Sequence, residues 1–294
     1  MGRHRHRPGG VPGGSGDRHP GAERRRRSRR QPVPLSGQAL IPGPHRLPDW
    51  IRPTVLDRCG STNDVVKDMA RTGAPEGTLV RAIRQEAGRG RRGRSWLSDA
   101  GNLACTLLLR PGGTPQRAAE LSFVTALAAG EAVDGLVAAA PKLKWPNDIL
   151  VGGAKIGGIL LESEADIDGS VAWVAVGMGL NVRHHPDMDD YATTSLLAQG
   201  ADVEPDQVMA LYAGAFDRWY RRWQAYGFAP VRAAWLNAAH GLGGPVTVRL
   251  HDRSFDGRLL DLDADGALLV DTPAGRVRVT AGDVFFPHAA QTTS

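Results

Sequence analysis

The sequence predicts an α+β protein, with a mixed, mostly antiparallel sheet flanked by helices, a small C-terminal β-barrel after it and a disordered tail before it. Three observations carry this. Residues 1–48 of the 294 hold 9 Gly and 8 Pro with few large apolar side chains, too little burial to offset the entropy of ordering. From Asp49 the composition turns globular, with short strand-like runs between two long helical patterns. After Gly241-Leu242-Gly243-Gly244, turn signals at Asp256-Gly257, Asp265-Gly266 and Ala274-Gly275 recur about every nine residues, as in a small all-β unit. The boundaries that follow are a tail over 1–48, a main domain over 49–241 and a small barrel over 242–294.

Within the main domain, Ser61-Thr62-Asn63 suits a helix start, and 63–70 reads as a helix. Residues 78–84 alternate as a strand does, and 103–109 form a continuous apolar run suited to a strand covered on both faces. Residues 115–140 place Leu121, Val124, Ala128 and Ala132 at helical spacing before Pro141. A second helix begins at Pro205, with Val208, Leu211, Tyr212, Ala215 and Trp219 on one face; its tryptophans read as packing residues rather than a ligand pocket. Between the helices, 142–145, 149–151, 156–162 and 171–176 read as strands joined by short turns.

Formal net charge is +5, but it is unevenly placed. Residues 1–52 hold 12 Arg, no Lys and three acids, while the other 242 residues hold 24 basic and 28 acidic side chains. The body is therefore net acidic, which argues against a protein that tracks nucleic-acid backbones by summed charge. The run over 24–30 reads as a solvated tail. Cys59 and Cys105 form no C-x-x-C, and no His/Cys spacing suggests zinc, so a reducing cytoplasm fits and no metal ligand is assigned. Ser28-Arg29-Arg30-Gln31 leads into Pro32 and Pro34 rather than an apolar core, and no run of 18 apolar residues occurs; neither export nor membrane insertion is expected.

Chemistry concentrates in three places. The chain has 32 Arg and only four Lys, three of them (Lys142, Lys144, Lys155) within fourteen residues. A compact ammonium on a flexible stem suits a phosphate oxygen in a way a planar guanidinium does not. Gly88-Arg89-Gly90-Arg91-Arg92-Gly93-Arg94-Ser95-Trp96 spaces four guanidiniums with three glycines between two strands, matching neither a Walker loop nor G-x-G-x-x-G. Such a loop suits a polyanion that orders it. Lys144-Trp145-Pro146-Asn147-Asp148 ends a strand in a stiff turn, presenting an amide and a carboxylate beside Lys144 and Lys155. A carboxylate between two ammoniums is better placed to orient a cation or a ligand hydrogen bond than to serve as a general acid.

Together these stretches resemble the biotin protein ligases. The matching segments are Ser61-Thr62-Asn63, Gln85 followed by 88–96, 144–148, 155–162, Gly177-Met178-Gly179-Leu180-Asn181 and Thr194-Ser195-Leu196, in family order. The resemblance implies a synthetase-like catalytic fold with a small C-terminal barrel. It implies ATP and biotin as substrates, with Mg²⁺ accompanying ATP, and a biotin carboxyl carrier protein as partner. Carried over by motif, Ser61, Thr62, Asn63 and Gln85 would meet the biotin head group. Gly88, Arg89, Gly90 and Arg91 would surround the carboxylate and the adenylate phosphate. Lys155 would hold carboxylate and phosphate oxygens, Asp148 would position Lys155 or the incoming lysine, Asn181 would serve the nucleotide side, and Lys144 and Asn147 would join the binding set. Lys155, Arg91 and Asp148 would be the catalytic residues.

Two departures stand out. Glu86 replaces the small residue usual after Gln85, adding negative charge beside the loop. Residues 1–53 are too rich in Pro and Gly for the winged helix that many bacterial members use on DNA, so a ligase without repressor activity is expected. The oligomeric state is not legible. The competing readings are a lipoate or octanoate protein ligase, which shares the fold, a nucleic-acid module using the arginine runs, and a protein that retains biotin without transferring it.

Overall fold

The computed structural model describes residues 46–287. The disordered-tail expectation and the basic run over 24–30 lie outside the described residues, except for 46–48. The described residues belong to one compact unit.

The larger sheet consists of β1 (Arg52–Cys59), β2 (Thr78–Gln85), β3 (Leu103–Leu109), β4 (Lys142–Lys144), β5 (Asp148–Val151), β6 (Ala154–Ala165) and β7 (Val171–Leu180). Their order is β1-β2-β3-β7-β6-β5-β4, parallel between β1 and β2 and antiparallel elsewhere. This is the mixed, mostly antiparallel sheet the sequence predicts. Every residue of β3 is buried, as its unbroken apolar run requires. Helix α1 (Thr62–Arg71) makes the crossover between the parallel pair β1 and β2.

The helix expected over 115–140 is instead two, α2 (Pro115–Ala119) and α3 (Leu121–Asp134), broken at Glu120 and stopped at Gly135. Its four spaced apolar residues are buried, and so are Phe123, Leu127 and Val133 on other faces. Helix α4 (Pro205–Tyr226) starts at the predicted proline behind a reciprocal Glu204–Gln207 capping box. Its buried stripe runs through Val208, Tyr212, Phe216, Tyr220 and Trp223; Trp219 is half-buried and donates to Glu131 Oε1 over 2.7 Å, so both tryptophans pack or tie rather than line a cavity. Helix α5 (Phe228–Ala238) follows. Among the described residues no helix is long and apolar enough to cross a membrane.

The C-terminal strands β8 (Pro245–Arg249), β9 (Ser254–Leu262), β10 (Leu268–Thr272), β11 (Gly275–Val279) and β12 (Asp283–Phe285) form an antiparallel sheet ordered β11-β10-β9-β8-β12. Its inward residues Val246, Val248, Leu259, Leu268 and Val270 belong to the same hydrophobic cluster as α3 and the large sheet. Trp145 Nε1 donates to Gly266 O over 3.2 Å, joining the Lys-Trp-Pro-Asn-Asp turn to the β9–β10 turn. The Trp145-Pro146 peptide bond is cis.

Candidate active site

A cavity of about 620 Å³ opens on one face of the large sheet, walled by the Arg/Gly loop and by β8 and β12. Of the residues singled out in the sequence, Ser61, Thr62, Asn63, Gln85, Arg89, Gly90, Arg91, Lys144, Asn147, Asp148, Lys155 and Asn181 all line it. Gly88 does not, contrary to its expected place around a ligand. A Cβ there would stand 2.4 Å from Trp96 O, and Trp96 N donates to Gly88 O over 2.9 Å. Gly88 is therefore required for the close approach of two loop arms.

One end of the cavity is a rack of neutral polar groups. Ser61 caps α1 by position but makes no side-chain capping bond. Instead Gln85 Oε1, reaching from β2, accepts from Thr62 N over 2.8 Å and from Thr62 Oγ1 over 3.1 Å, satisfying a free N–H of the helix start. Gln85 Nε2 donates to Ser98 Oγ over 2.7 Å. Thr106 Oγ1, fully buried on β3, lies 2.7 Å from both Thr62 Oγ1 and Asn63 Oδ1. Asn63 Nδ2 donates to Glu162 Oε2 over 2.8 Å. Thr62, Asn63 and Gln85 are thus locked before any ligand arrives. Glu86, the departure noted in the sequence, stands 3.4 Å from Arg58 on the exposed surface.

Behind the rack lies a charged network that the sequence did not suggest. Lys67 Nζ stands 2.6 Å from Glu162 Oε1 and 2.9 Å from Asp64 Oδ1, while Arg89 grips Asp64 with two bonds of 2.7 Å. The Arg89 bond holds the Asp64 carboxyl well below its ordinary 3.8. Burial pushes Glu162 up from its ordinary 4.5, but the bonds from Lys67 and Asn63 outweigh this and lower it. Both groups therefore ionise more readily folded than unfolded. Their stabilisation is present above the ordinary values and is lost as pH falls through the lowered ones. The Tm is expected to fall as pH drops below about 5, to go on falling through the lowered values, and to fall less in the double variant Asp64→Asn/Glu162→Gln. Calorimetry across that range checks this; equal slopes would remove the pair as a source of acid lability.

The other end is cationic. Asp148 opens β5 opposite Lys144 of β4 and Gly158 of β6. A register shift between Ile149 and Leu150 then sets Lys155 opposite Leu150, and its Nζ meets Asp148 Oδ1 at 2.6 Å. The ammonium also stands 5.5 Å from the ring centroids of Trp96 and of Tyr191. Trp96 can lie there only because residue 179 is glycine, where a Cβ would come within 2.4 Å of the indole. Asn147 Nδ2 donates to Ile159 O over 2.7 Å, and buried Asn181 Nδ2 donates to Thr194 O over 3.0 Å, fixing the Thr194-Ser195-Leu196 segment beside Lys155.

The four loop guanidiniums are all engaged. Arg89 is on Asp64, while Arg91, Arg92 and Arg94 converge on Asp283 of β12, Arg91 at 3.8 Å and Arg92 at 3.2 Å. Arg91 NH1 also donates to Gly282 O over 3.3 Å. Arg92, with φ 56°, is left-handed without being glycine, an arrangement that persists only where surroundings impose it. Thr106, Tyr191, Arg249, Asp283 and Phe285 are site residues that no motif marked. The scarcity of lysine was the one signal that could also have drawn attention to Lys67.

Residues 55–181 match the family model described as "Biotin/lipoate A/B protein ligase family", and residues 241–286 match "Biotin protein ligase C terminal domain". A Paracoccus denitrificans protein named biotin–[acetyl-CoA-carboxylase] ligase is 44% identical over 241 residues, covering 79% of this chain and 99% of that protein. The structure of a biotin protein ligase from Aquifex aeolicus in complex with biotin and ATP superposes with TM-score 0.68 at 26% identity, covering 79% of this chain and 97% of that one. One from Leishmania major in complex with biotinyl-5-AMP does so with TM-score 0.56 at 26% identity, covering 78% and 98%.

Proposed function

The chain belongs to the biotin protein ligase family, and we propose that its cavity activates biotin with ATP and passes it to a lysine of a biotin carboxyl carrier protein. The observation that carries this reading is the division of one cavity into a neutral hydrogen-bonding rack and a cationic end. A ureido ring both donates and accepts hydrogen bonds, which hydroxyls and amides fixed in advance can meet. A carboxylate attacking a phosphate brings two anions together, which requires cations held in place beforehand.

In the first step a biotin carboxylate oxygen attacks the α-phosphorus, the bond to the bridging oxygen breaks, and pyrophosphate leaves with the electron pair. Mg²⁺ accompanying ATP would withdraw charge from the phosphates, and no side chain of this chain is assigned to hold it. Lys155 holds carboxylate and α-phosphate oxygens together, and Asp148 sets the direction of its ammonium. Arg91 and Arg89 close over the adenylate and exclude water from a mixed anhydride that water would destroy. In the second step the carrier's lysine amine attacks the acyl carbon, AMP departs, and the amide forms with loss of a proton. Ser61, Thr62, Asn63 and Gln85 hold the head group, Gly90 lets the loop backbone approach, and Lys144, Asn147 and Asn181 complete the nucleotide side.

The small sheet belongs to a C-terminal domain over 242–294 that shares its hydrophobic cluster with the catalytic domain over 49–241, and the protein works in the cytoplasm without a DNA-binding role. Support comes from the net-acidic balance of the residues after 52. A lipoate ligase is disfavoured by the match to a named biotin ligase over 79% of this chain and 99% of that protein. The test is exchange of labelled pyrophosphate into ATP by the purified chain. Exchange that depends on biotin is expected; exchange with lipoate alone, or none with either acid, overturns the proposal.

A further inference from the structure

The Arg/Gly loop is a narrow hairpin, in which Arg89 pairs with Ser95 in an antiparallel bridge and Gly90 N donates to Arg94 O over 2.8 Å. It is attached at two points. Its tip arginines reach Asp283. Arg89, at its base, reaches Asp64 in the first turn of α1, the turn that also carries Thr62 and Asn63 of the rack.

The two attachments differ in what they leave behind when broken. Arg91 can release Asp283 and leave that carboxylate with two guanidiniums. Arg89 has no such freedom, because it belongs to a neutral quartet. Asp64 and Glu162 share Lys67, at 2.9 and 2.6 Å, and Arg89 supplies the second positive charge, 2.7 Å from Asp64 and 3.6 Å from Glu162. Drawing Arg89 away to a phosphate would leave two carboxylates on one ammonium, in a wall where the Lys67 side chain is only 18% exposed. Glu162 Oε2 is also the oxygen that accepts from Asn63 Nδ2. The quartet therefore joins the base of the loop to the rack through a single carboxylate.

We propose that Asp64 is a positioning residue that clamps the base of the loop to α1 through Arg89, and that Arg89 serves closure as this anchor rather than as a charge on the adenylate phosphate. The assignment rests on the ligase reading above and narrows it. Arg91 and Lys155 meet the anion, while Arg89, Asp64, Lys67 and Glu162 hold the loop beside the rack. With its base already fixed, the loop has only its tip to order around a bound intermediate, so less conformational entropy is lost on closure.

The test compares the unsubstituted full chain with Asp64→Asn, Arg89→Gln and the double variant, in single-turnover adenylate formation and in the release of bound biotinyl-5′-AMP. Each single variant is expected to release the intermediate about tenfold faster, the size of one lost charge-assisted bond, with a far smaller change in the rate of its formation. The double variant should be no leakier than either single one, because both remove the same contact. Asp64→Glu, which keeps the carboxylate, recovers most of the retention, as a purely structural loss would not. Unchanged release in Asp64→Asn overturns the proposal, and so do additive losses in the double variant. Slow adenylate formation in Arg89→Gln alone overturns it in favour of direct contact with the phosphate. If the unsubstituted chain forms no biotinyl-5′-AMP, the ligase reading fails by itself. Trypsin cleavage of the ligand-free chain after Arg91, Arg92 and Arg94, mapped by mass spectrometry, then still decides the clamp. It is expected to speed up in both single variants, and an unchanged rate overturns the proposal. Arg89→Gln lies on the loop and reads both measurements even if Asp64→Asn does not fold.

Discussion

Lys155→Ala is expected to slow biotinyl-5′-AMP formation by about 10²–10³-fold, the loss usual for one preorganised group aimed at developing transition-state charge. Asp148 at 2.6 Å and the rings of Trp96 and Tyr191 at 5.5 Å leave Lys155 little freedom, so its charge is in place before the substrates meet. The substitution also strands Asp148, whose side chain is only 18% exposed, and an unpaired carboxylate so placed destabilises the fold. The two effects separate in a second variant. Adding Asp148→Asn to Lys155→Ala removes the stranded charge, so Tm recovers while the rate does not. Rapid-quench assay of the adenylate, run beside calorimetry, reads both; near-normal adenylate formation in Lys155→Ala would remove Lys155 from the chemistry.

Gly177→Ala acts at the opposite end. A Cβ at that position would stand 2.2 Å from Asn63 Oδ1 and 3.0 Å from Leu160 O, closer than real Cβ contacts allow. Leu160 belongs to the neighbouring strand, so Asn63 is the group that has to move. Moving it breaks the contact with Thr106 and the bond to Glu162 together. A cost of about 1–3 kcal/mol is expected from the overpacking. Biotin affinity should fall by about 10- to 100-fold if the rack loses a comparable amount. Titration calorimetry with biotin alone measures this without turnover. Unchanged affinity would place the head group elsewhere in the cavity.

The parts of this molecule that were legible in the sequence are those whose signal is local. The apolar run of β3 and the Pro205 start of α4 needed only neighbouring residues. Strand β1 escaped because Pro53 and three charged residues interrupt its pattern, which an edge position tolerates. Helix α5 carries Pro230 and shows little contrast between its faces. The site follows the same rule. Its glycines, lysines and amides lie in compact motifs, whereas Asp64, Lys67 and Glu162 are ordinary charges until the sheet brings Glu162 of β6 within reach of the side chains of α1. Asp283 is separated from the arginines it gathers by about 190 residues of chain, and only the pairing of β12 with β8 brings it there.

The shared hydrophobic cluster beneath the two sheets has a consequence for anyone exchanging parts between relatives. Trp145 reaches across to Gly266, and at Gly266 a Cβ would come within 2.6 Å of Phe123. The join is therefore a fitted surface rather than a hinge, and the small sheet is a structural counterpart of α3 as much as a module in its own right. A chimera that brings in a foreign C-terminal sheet inherits a mismatch inside the core unless residues 123, 145 and 266 travel together.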